Sequence, residues 1–394
     1  MTLTAPPRDP SAPQTPGVGT ILRYLGPWAG LSVPPGIERT VRCFENRGDP
    51  TWGPDGPVRA YMFRPSRDAA SLRGVLVVLH GLHYLGPEDH RLERFCRVLA
   101  AAGHVVIAPF LPRSLELEAS VATTAHVARV TEEAAAIATR SRLPPPAIFT
   151  ISFGSLSGIR VAAARSRAEL SSLIVFGGYA RFEDTLRFAL TGQDRLLGSL
   201  PGRDPLNGPA AFINLLAFFP AHLRKDVLRR AWLDVVRQTW GRLPMRDPAT
   251  RRPIADAAAT MHGLTDEERL LFLAGCGVAD AEAFTRAALA QAGGPGAAFA
   301  DPRPALARMR VPVFVLHGRD DDVIPWTEAH AIRSHLPAQH PHALLFSGMH
   351  GHTGTQLPRP RDVAREIGVS ISLARVFAGA AVEPEAVLAA IGSR

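Results

Sequence analysis

The stretch over residues 147–154 predicts a strand that turns abruptly at a serine. Residues 147–150 favour a buried strand, and Ser152 and Gly154 follow directly. Small residues at helical spacing come next, so a closely packed helix is predicted. A serine at such a strand-to-helix turn presents its hydroxyl as a nucleophile and is expected to have a positive φ. The usual pattern is Gly-x-Ser-x-Gly. Gly154 keeps this pattern, but Thr150 stands where the first glycine is expected, so the motif alone also fits a surface serine at a strand end.

Histidines and aspartates, the residue types that activate a serine, follow three other predicted strands. His80 comes directly after the apolar run 74–79. His317 follows the run 311–316 and precedes three successive aspartates at 320–322. Two further histidines come after the last predicted strand, namely His350 and His352. Near neutral pH a histidine can take the proton of a serine, and a buried carboxylate can fix its tautomer.

The elements that must position these residues alternate between buried strands and helices over 74–178. This alternation favours a parallel sheet covered on both faces. Two partly exposed antiparallel strands are expected before this region, and two further strands follow it at 311–316 and 343–346. Residues 181–308 show helical patches and no convincing strand. We therefore predict eight strands, a helical insertion between the sixth and the seventh, and a closing helix from about residue 360.

The composition is that of an ordinary globular protein with a sizeable core, since 46% of the residues are hydrophobic. The formal net charge is +8, but the basic residues are scattered arginines, and Lys225 is the only lysine. No run of arginines is interleaved with aromatic residues, so nucleic-acid binding is not expected.

The N-terminal segment and the cysteines bear on the compartment. The first 20 residues are rich in small and turn-forming residues, which favours disorder over 1–20. They lack the pattern of a secretory signal or of a membrane anchor, and no apolar stretch is long enough to span a bilayer. Three widely spaced cysteines fit a reducing compartment. We therefore expect a cytoplasmic protein without stable membrane insertion.

The order of these motifs resembles the α/β-hydrolase family with a helical cap. His80-Gly81 resembles the oxyanion loop of the family, Ser152 its nucleophile, and the segment 317–325 its His-Gly-x-x-Asp loop. The resemblance implies an α/β-hydrolase fold, with an eight-stranded, mostly parallel sheet, helices on both faces and a helical cap between strands 6 and 7. The expected division is a disordered segment 1–20, a core at 21–180 and 309–394, and a cap at 181–308.

The resemblance also implies a role for each candidate residue. Ser152 would be the nucleophile and Asp321, three residues after the glycine, the orienting acid. The base would be His352, with His350 as the alternative, because both fit the loop after the last strand. The family geometry implies that the backbone N–H groups of Leu82 and Phe153 form the oxyanion hole.

The implied function is that of a serine hydrolase. It would cleave a carboxylic ester or thioester with an apolar acyl or alcohol part through an acyl-enzyme on a Ser-His-Asp triad. No cofactor and no metal are expected, since His80, His83, Asp89 and His90 suggest ligands only superficially. His83 is expected to be solvated. The alternative is a non-catalytic binding or scaffold protein that keeps the fold, and Thr150 is the feature that supports it.

Overall fold

An eight-stranded sheet organises the protein. The computed structural model describes residues 17–25, 32–44, 56–66, 72–200, 202–348 and 363–392. The strands are β1 (Ile37–Phe44), β2 (Val58–Pro65), β3 (Gly74–Leu79), β4 (His104–Pro109), β5 (Ala147–Ile151), β6 (Ser172–Phe176), β7 (Val313–Gly318) and β8 (His342–Ser347). Their order across the sheet is β1-β2-β4-β3-β5-β6-β7-β8. The pairs β1–β2 and β2–β4 are antiparallel and the others are parallel, so the predicted sheet is confirmed.

Helices cover both faces of this sheet. In chain order they are α1 (Val18–Leu25), α2 (His90–Ala101), α3 (Pro112–Leu115), α4 (Ala122–Arg140), α5 (Gly154–Ala163), α6 (Phe182–Thr191), α7 (Gly208–Leu215), α8 (Lys225–Thr239), α9 (Pro248–Met261), α10 (Asp266–Gly275), α11 (Glu282–Ala292), α12 (Arg303–Leu306), α13 (Thr327–His335), α14 (Val363–Gly379) and α15 (Pro384–Gly392). Helices α4, α5, α12 and α13 pack on one face, and α1, α2, α14 and α15 on the other. This arrangement is the α/β-hydrolase fold.

The central strands are apolar throughout because both of their sides are buried. In β3, Val75, Val77 and Leu79 belong to the core on one face of the sheet. Leu76 and Val78 belong to the core on the opposite face. A continuous apolar run of this kind is what a strand between two helical layers requires.

The segment between β6 and β7 forms helices α6–α11 with an apolar cluster of their own. Trp232, Phe212 and Phe272 lie fully buried at its centre, and the Trp232 ring is 5.7 Å from the Phe212 ring. Leu82, Tyr84 and Phe153 of the core also pack against this cluster. The inserted helices therefore cover the loops that follow β3 and β5.

Several boundaries differ from the sequence-based expectation. The expected disorder over 1–20 is wrong at its end, because α1 begins at Val18 and buries Ile21 between α2 and α14. Residues 1–16 lie outside the described part of the chain. The expected absence of strands in the insertion is also wrong, since Gln193–Asp194 pairs with Gly198–Ser199 as a short hairpin. The expected closing helix is interrupted after Gly379, where α14 ends before α15. No helix in the described ranges has the length and apolar character to cross a membrane.

Candidate active site

Ser152 lies at the turn between β5 and α5, with a φ of 54°. A positive φ was the conformation predicted for this serine, and that prediction is confirmed. The Ser152 N–H donates to the carbonyl of Phe176, 2.9 Å away, so the neighbouring strand β6 fixes the turn. A non-glycine residue pays a strain energy in this region of φ, and such residues cluster at functional sites.

Two glycines allow the loop after β3 to approach the turn at Ser152. A Cβ atom on Gly154 would lie 2.6 Å from the carbonyl oxygen of His80, and one on Gly81 would lie 2.8 Å from the Ser152 Cβ. Contacts this short involve backbone or Cβ atoms that cannot rotate away. Only glycine fits at these two positions, and Gly81 and Gly154 are therefore the reason that the two loops meet.

Thr150, the departure from the usual motif, is accommodated by the helix behind it. A Cβ atom on Gly158 of α5 would lie 2.2 Å from the Thr150 Cγ2, so the space that Thr150 needs is left free by Gly158. The Thr150 hydroxyl also donates to the carbonyl of Ile174, 3.3 Å away. The side chain of Thr150 on β5 therefore fits because Gly158 on α5 has no side chain.

The two N–H groups expected to form an oxyanion hole belong to the residues that directly follow Gly81 and Ser152. Leu82 follows Gly81, and Phe153 is the residue that caps the N-terminus of α5. Neither N–H donates to another residue in the described part of the chain. The N-terminus of a helix carries a partial positive charge, which favours a negative charge nearby. The Phe153 ring packs 5.1 Å from the ring of Tyr179, at the start of the inserted segment.

His80 holds the loop after β3 by hydrogen bonds. Its Nδ1–H donates to the Gly81 carbonyl at 2.7 Å, and its Nε2 accepts from the Leu111 N–H at 3.4 Å. Burial lowers the pKa of His80 to about 4, although the bond to Gly81 opposes this shift. The neutral imidazole therefore connects the loop after β3 to the segment that follows β4.

Asp321 is the best-anchored carboxylate of the loop after β7. Its Oδ1 accepts from the N–H groups of Val323 at 2.9 Å and Ile324 at 2.8 Å. The Nε2–H of buried His317 donates to the Ile324 carbonyl at 3.0 Å and lies 3.4 Å from Asp321 Oδ2. His317 thus holds this loop by a hydrogen bond and helps to fix Asp321 at the edge of the sheet.

The two neighbouring aspartates have other surroundings. Asp322 is bound by Arg246 of the insertion at 3.0 Å, and the same guanidinium binds Asp204 at 3.0 Å. Asp320 lies in the loop after β7, which ends at Gly318. Its carboxylate oxygens are buried and have no hydrogen-bond partner in the described ranges. Burial, helped by the negative charges of Asp321 and Asp322, raises the pKa of Asp320.

The candidate bases His350 and His352 lie outside the described residues. The described chain before them ends at Gly348, one residue after β8. Glu366 of α14 accepts from the Ser347 hydroxyl and from the Gly348 N–H, each at 2.9 Å. Because β5, β7 and β8 run parallel, Ser152, Asp321 and Gly348 follow strand ends on one edge of the sheet.

His83 is the clearest case in which the expectation from sequence is wrong, because this histidine is paired and not simply solvated. Its Nδ1 accepts from the Leu85 N–H at 3.2 Å, and its Nε2–H faces Asp89 Oδ2 at 3.3 Å. The His83 ring stacks on Tyr84 at 5.0 Å and lies 5.5 Å from Trp240 of the insertion. Burial opposes ionisation of Asp89, but Arg91 outweighs it and lowers the pKa of Asp89 to about 2.

The polar groups of the site that sequence did not predict join distant segments. Arg246 and Asp322 are 76 residues apart, and no sequence spacing relates them. His83 and Asp89 are close in sequence, so their spacing was the one available signal. Among the described residues, no group of three or more His, Cys, Asp or Glu side chains is placed to hold a metal ion.

The chain has structural neighbours among solved proteins at low sequence identity. No family model matches the chain, and no curated protein matches it. The brefeldin A esterase, a bacterial homologue of human hormone sensitive lipase, has 14% identity and a TM-score of 0.46 over 96% of this chain and 88% of its own. Est1E from Butyrivibrio proteoclasticus has 12% identity and a TM-score of 0.42 over 84% of this chain and 96% of its own. For the acylaminoacyl peptidase of Pyrococcus horikoshii, the identity is 10% and the TM-score 0.41 over 87% of this chain, which spans only 41% of that peptidase.

Proposed function

We propose that the protein is a serine hydrolase that cleaves a carboxylic ester or thioester through an acyl-enzyme. Ser152 is the nucleophile, Asp321 orients the base, and the base is His352 or, as the alternative, His350. The observation that carries this proposal is the φ of 54° at Ser152, a buried residue held in contact with the loop after β3. Backbone strain of this kind persists only where the surrounding structure enforces it, which is typical of active sites.

The reaction needs a base because a serine hydroxyl is a weak nucleophile. The histidine removes the Ser152 proton as Oγ bonds to the acyl carbon, and the carbonyl electron pair moves onto its oxygen. The N–H groups of Leu82 and Phe153 donate to that oxyanion. The histidine then gives its proton to the leaving alcohol or thiol. Water, activated by the same histidine, hydrolyses the acyl-enzyme and restores Ser152.

The surroundings favour a substrate with an apolar acyl or alcohol part. Leu82 and Phe153, which bear the oxyanion donors, are half-buried and pack against the apolar cluster of the inserted helices. Tyr84 and Trp240 add aromatic surface beside the same loop, with ring centroids 6.4 Å apart. Ligand sites are typically lined by such side chains, with a few polar groups that fix orientation.

A comparison of two serine variants tests this function. Ser152→Ala should lower kcat/KM for p-nitrophenyl acetate, butyrate and octanoate by a factor of about 10⁴ or more. Ser155→Ala is the matched control, since Ser155 is also buried in the same turn region and its hydroxyl has no partner in the described chain. Equal activity of Ser152→Ala and wild type would refute the serine mechanism. A wild type that turns over no ester would favour the alternative of a non-catalytic binding protein.

A second pair of variants assigns the base. His352→Ala should abolish turnover, whereas His350→Ala should leave a measurable fraction. The reverse result would transfer the role to His350. Circular dichroism of both variants separates loss of the base from loss of the fold.

A further inference from the structure

The hairpin in the insertion displays two leucines at its tip. Leu196 and Leu197 are 66% and 51% exposed, although large apolar side chains are normally buried. Asp194 Oδ1 accepts from both of their N–H groups at 2.8 Å. Asp194 Oδ2 accepts from the hydroxyl of Thr327, the first residue of α13, at 2.5 Å. The exposed tip is therefore held in place by a buried carboxylate.

A third exposed leucine lies on a separate loop of the insertion. Leu243 is 74% exposed at the start of the short 3₁₀ helix Leu243–Arg246. Arg246, at the end of that helix, binds Asp322 at 3.0 Å. Asp322 and Thr327 belong to the segment that follows β7, so both leucine-bearing loops are attached to the segment that carries Asp321.

An exposed arginine lies beside the leucines on each of these two loops, and Asp247, which caps α9 at the end of the second loop, is an exposed acidic residue. Arg195 lies at the hairpin tip, with 56% of its side chain exposed and its guanidinium 3.9 Å from Asp184. Arg242 precedes Leu243 and is exposed. Asp194, the acidic residue within the hairpin, is buried and bonded, and it presents no charge to a partner. Exposed leucines flanked by arginines, on a protein of net charge +8, are complementary to an anionic lipid surface.

We propose that Leu196, Leu197 and Leu243 form a docking surface for an anionic lipid bilayer. The leucines enter the boundary between headgroups and acyl chains, and Arg195 and Arg242 bind headgroup phosphates. Docking is peripheral, because the loops are short and the inserted side chains are few. Docking itself does not depend on the hydrolase activity. If the proposed function holds, docking also lets esters embedded in the bilayer reach Ser152.

Sedimentation with vesicles tests the docking surface directly. The full chain with Ser152→Ala should bind vesicles of phosphatidylcholine and phosphatidylglycerol and bind pure phosphatidylcholine at least about tenfold more weakly. The triple variant Leu196→Ser, Leu197→Ser, Leu243→Ser should bind the anionic vesicles at least about tenfold more weakly. Arg195→Gln and Arg242→Gln should each weaken binding about fivefold, and less at high salt.

The control removes exposed apolar side chains from elsewhere on the insertion. Met261 and Leu270 are also more than half exposed, but they lie on α9 and α10. Met261→Ser with Leu270→Ser should leave vesicle binding unchanged. The proposal is overturned if this pair weakens binding as much as the leucine triple variant, or if wild type binds no anionic vesicle. It is also overturned if light scattering shows a dimer that the triple variant abolishes while vesicle binding is absent.

Turnover of a dissolved ester separates this proposal from the proposed function. The leucine triple variant should hydrolyse p-nitrophenyl acetate at the wild-type rate and lose only the gain in rate on an ester embedded in anionic vesicles. Normal turnover without vesicle binding refutes the docking surface alone. Vesicle binding without turnover of any ester supports the docking surface and refutes the hydrolase.

Discussion

At Ser152 the chain is held by backbone packing, whereas at Asp321, on the same edge of the sheet, it is held by polar side chains. On the elbow side, which comprises Gly81, Thr150, Ser152, Gly154 and Gly158, the close contacts are steric. On the acid side, which comprises Asp321, Asp322, Arg246 and Glu328, hydrogen bonds and ion pairs set the geometry.

The two kinds of support suit the two proposed roles, Ser152 as the nucleophile and Asp321 as the orienting acid. A nucleophile must be presented at a fixed distance from its oxyanion donors, and packed backbone leaves little freedom for movement. An orienting carboxylate must stay ionised, and N–H donors favour its charged form. The elbow side should therefore respond to changes in volume, and the acid side to changes in charge, pH and salt.

The largest effect is expected on the acid side, from Asp321→Asn. The amide would hold the histidine in the wrong tautomer, so kcat should fall about 10³- to 10⁴-fold. Steady-state kinetics with p-nitrophenyl butyrate measure the loss. Asp320→Asn and Asp322→Asn are the matched controls in the same loop. A greater loss in Asp320→Asn would mean that the assignment of the acid is displaced by one residue.

The next largest effect concerns pH and Glu328, a buried residue of α13. Glu328 Oε2 accepts from the N–H groups of Ala180 at 2.7 Å and Arg181 at 2.8 Å, where α6 begins. Burial raises its pKa to about 7, and these hydrogen bonds only partly oppose the shift. The raised pKa of Glu328 contributes fully to the free energy of unfolding below the unfolded pKa of 4.5. This contribution is lost as the pH rises through 7.

Urea unfolding from pH 4 to 8 measures that contribution. The free energy of unfolding of wild type should fall relative to Glu328→Gln as the pH rises, by at most about 3 kcal/mol. His80, on the elbow side, has the opposite dependence on pH. Burial lowers its pKa to about 4, so its contribution to the free energy of unfolding is lost as the pH falls below 6.5. Parallel pH curves for wild type and Glu328→Gln would show that the buried carboxyl is not coupled to folding.

On the elbow side, a double-mutant cycle tests the fit between strand and helix. Gly158→Ala places a Cβ 2.2 Å from the Thr150 Cγ2 and should destabilise the protein by about 1–3 kcal/mol. Thr150→Ser removes that methyl group and keeps the hydroxyl that donates to Ile174. In the Thr150→Ser background, Gly158→Ala should cost at least about 1 kcal/mol less. Additive effects of the two changes would mean that Gly158 does not compensate for Thr150.

The smallest effect is expected from Arg246→Gln, which removes the ion pairs of the insertion with Asp204 and Asp322. More than a third of the Arg246 side chain is exposed, so solvent screens these pairs. The free energy of unfolding should fall by about 1 kcal/mol, and less at 1 M salt. Lys225→Gln, which removes a half-buried charge elsewhere in the insertion, is the control. A loss that is independent of salt would contradict an electrostatic role for Arg246.

Local patterns were sufficient to predict the sheet. The run 74–79 is apolar at every position, and β3 has those limits and is buried on both faces. The positive φ of Ser152 follows from the spacing between a strand, a serine and a glycine. Helix α1 was not predicted, because it is short and its buried residue Ile21 depends on packing against α14, far away in sequence.

The polar part of the site depends on contacts that sequence does not reveal. In the sequence, Thr150 is a departure from the motif. The space for its side chain is left by Gly158 on the packed helix α5, and this contact cannot be read from the motif itself. In the sequence, Arg246 is one of many scattered arginines, and only the folded structure shows that it binds Asp322. His83 was expected to be solvated because its partners are set by the path of the loop and by Trp240 in the insertion.

Covalent labelling is the most direct test of whether Ser152 is an activated nucleophile. An alkyl fluorophosphonate loses fluoride when an activated serine attacks its phosphorus, and the adduct can be located by peptide mass spectrometry. We expect one adduct, on Ser152, which is absent in Ser152→Ala and still formed in Ser155→Ala. An adduct on another residue, or an unlabelled wild type that nevertheless hydrolyses p-nitrophenyl esters, would contradict this expectation.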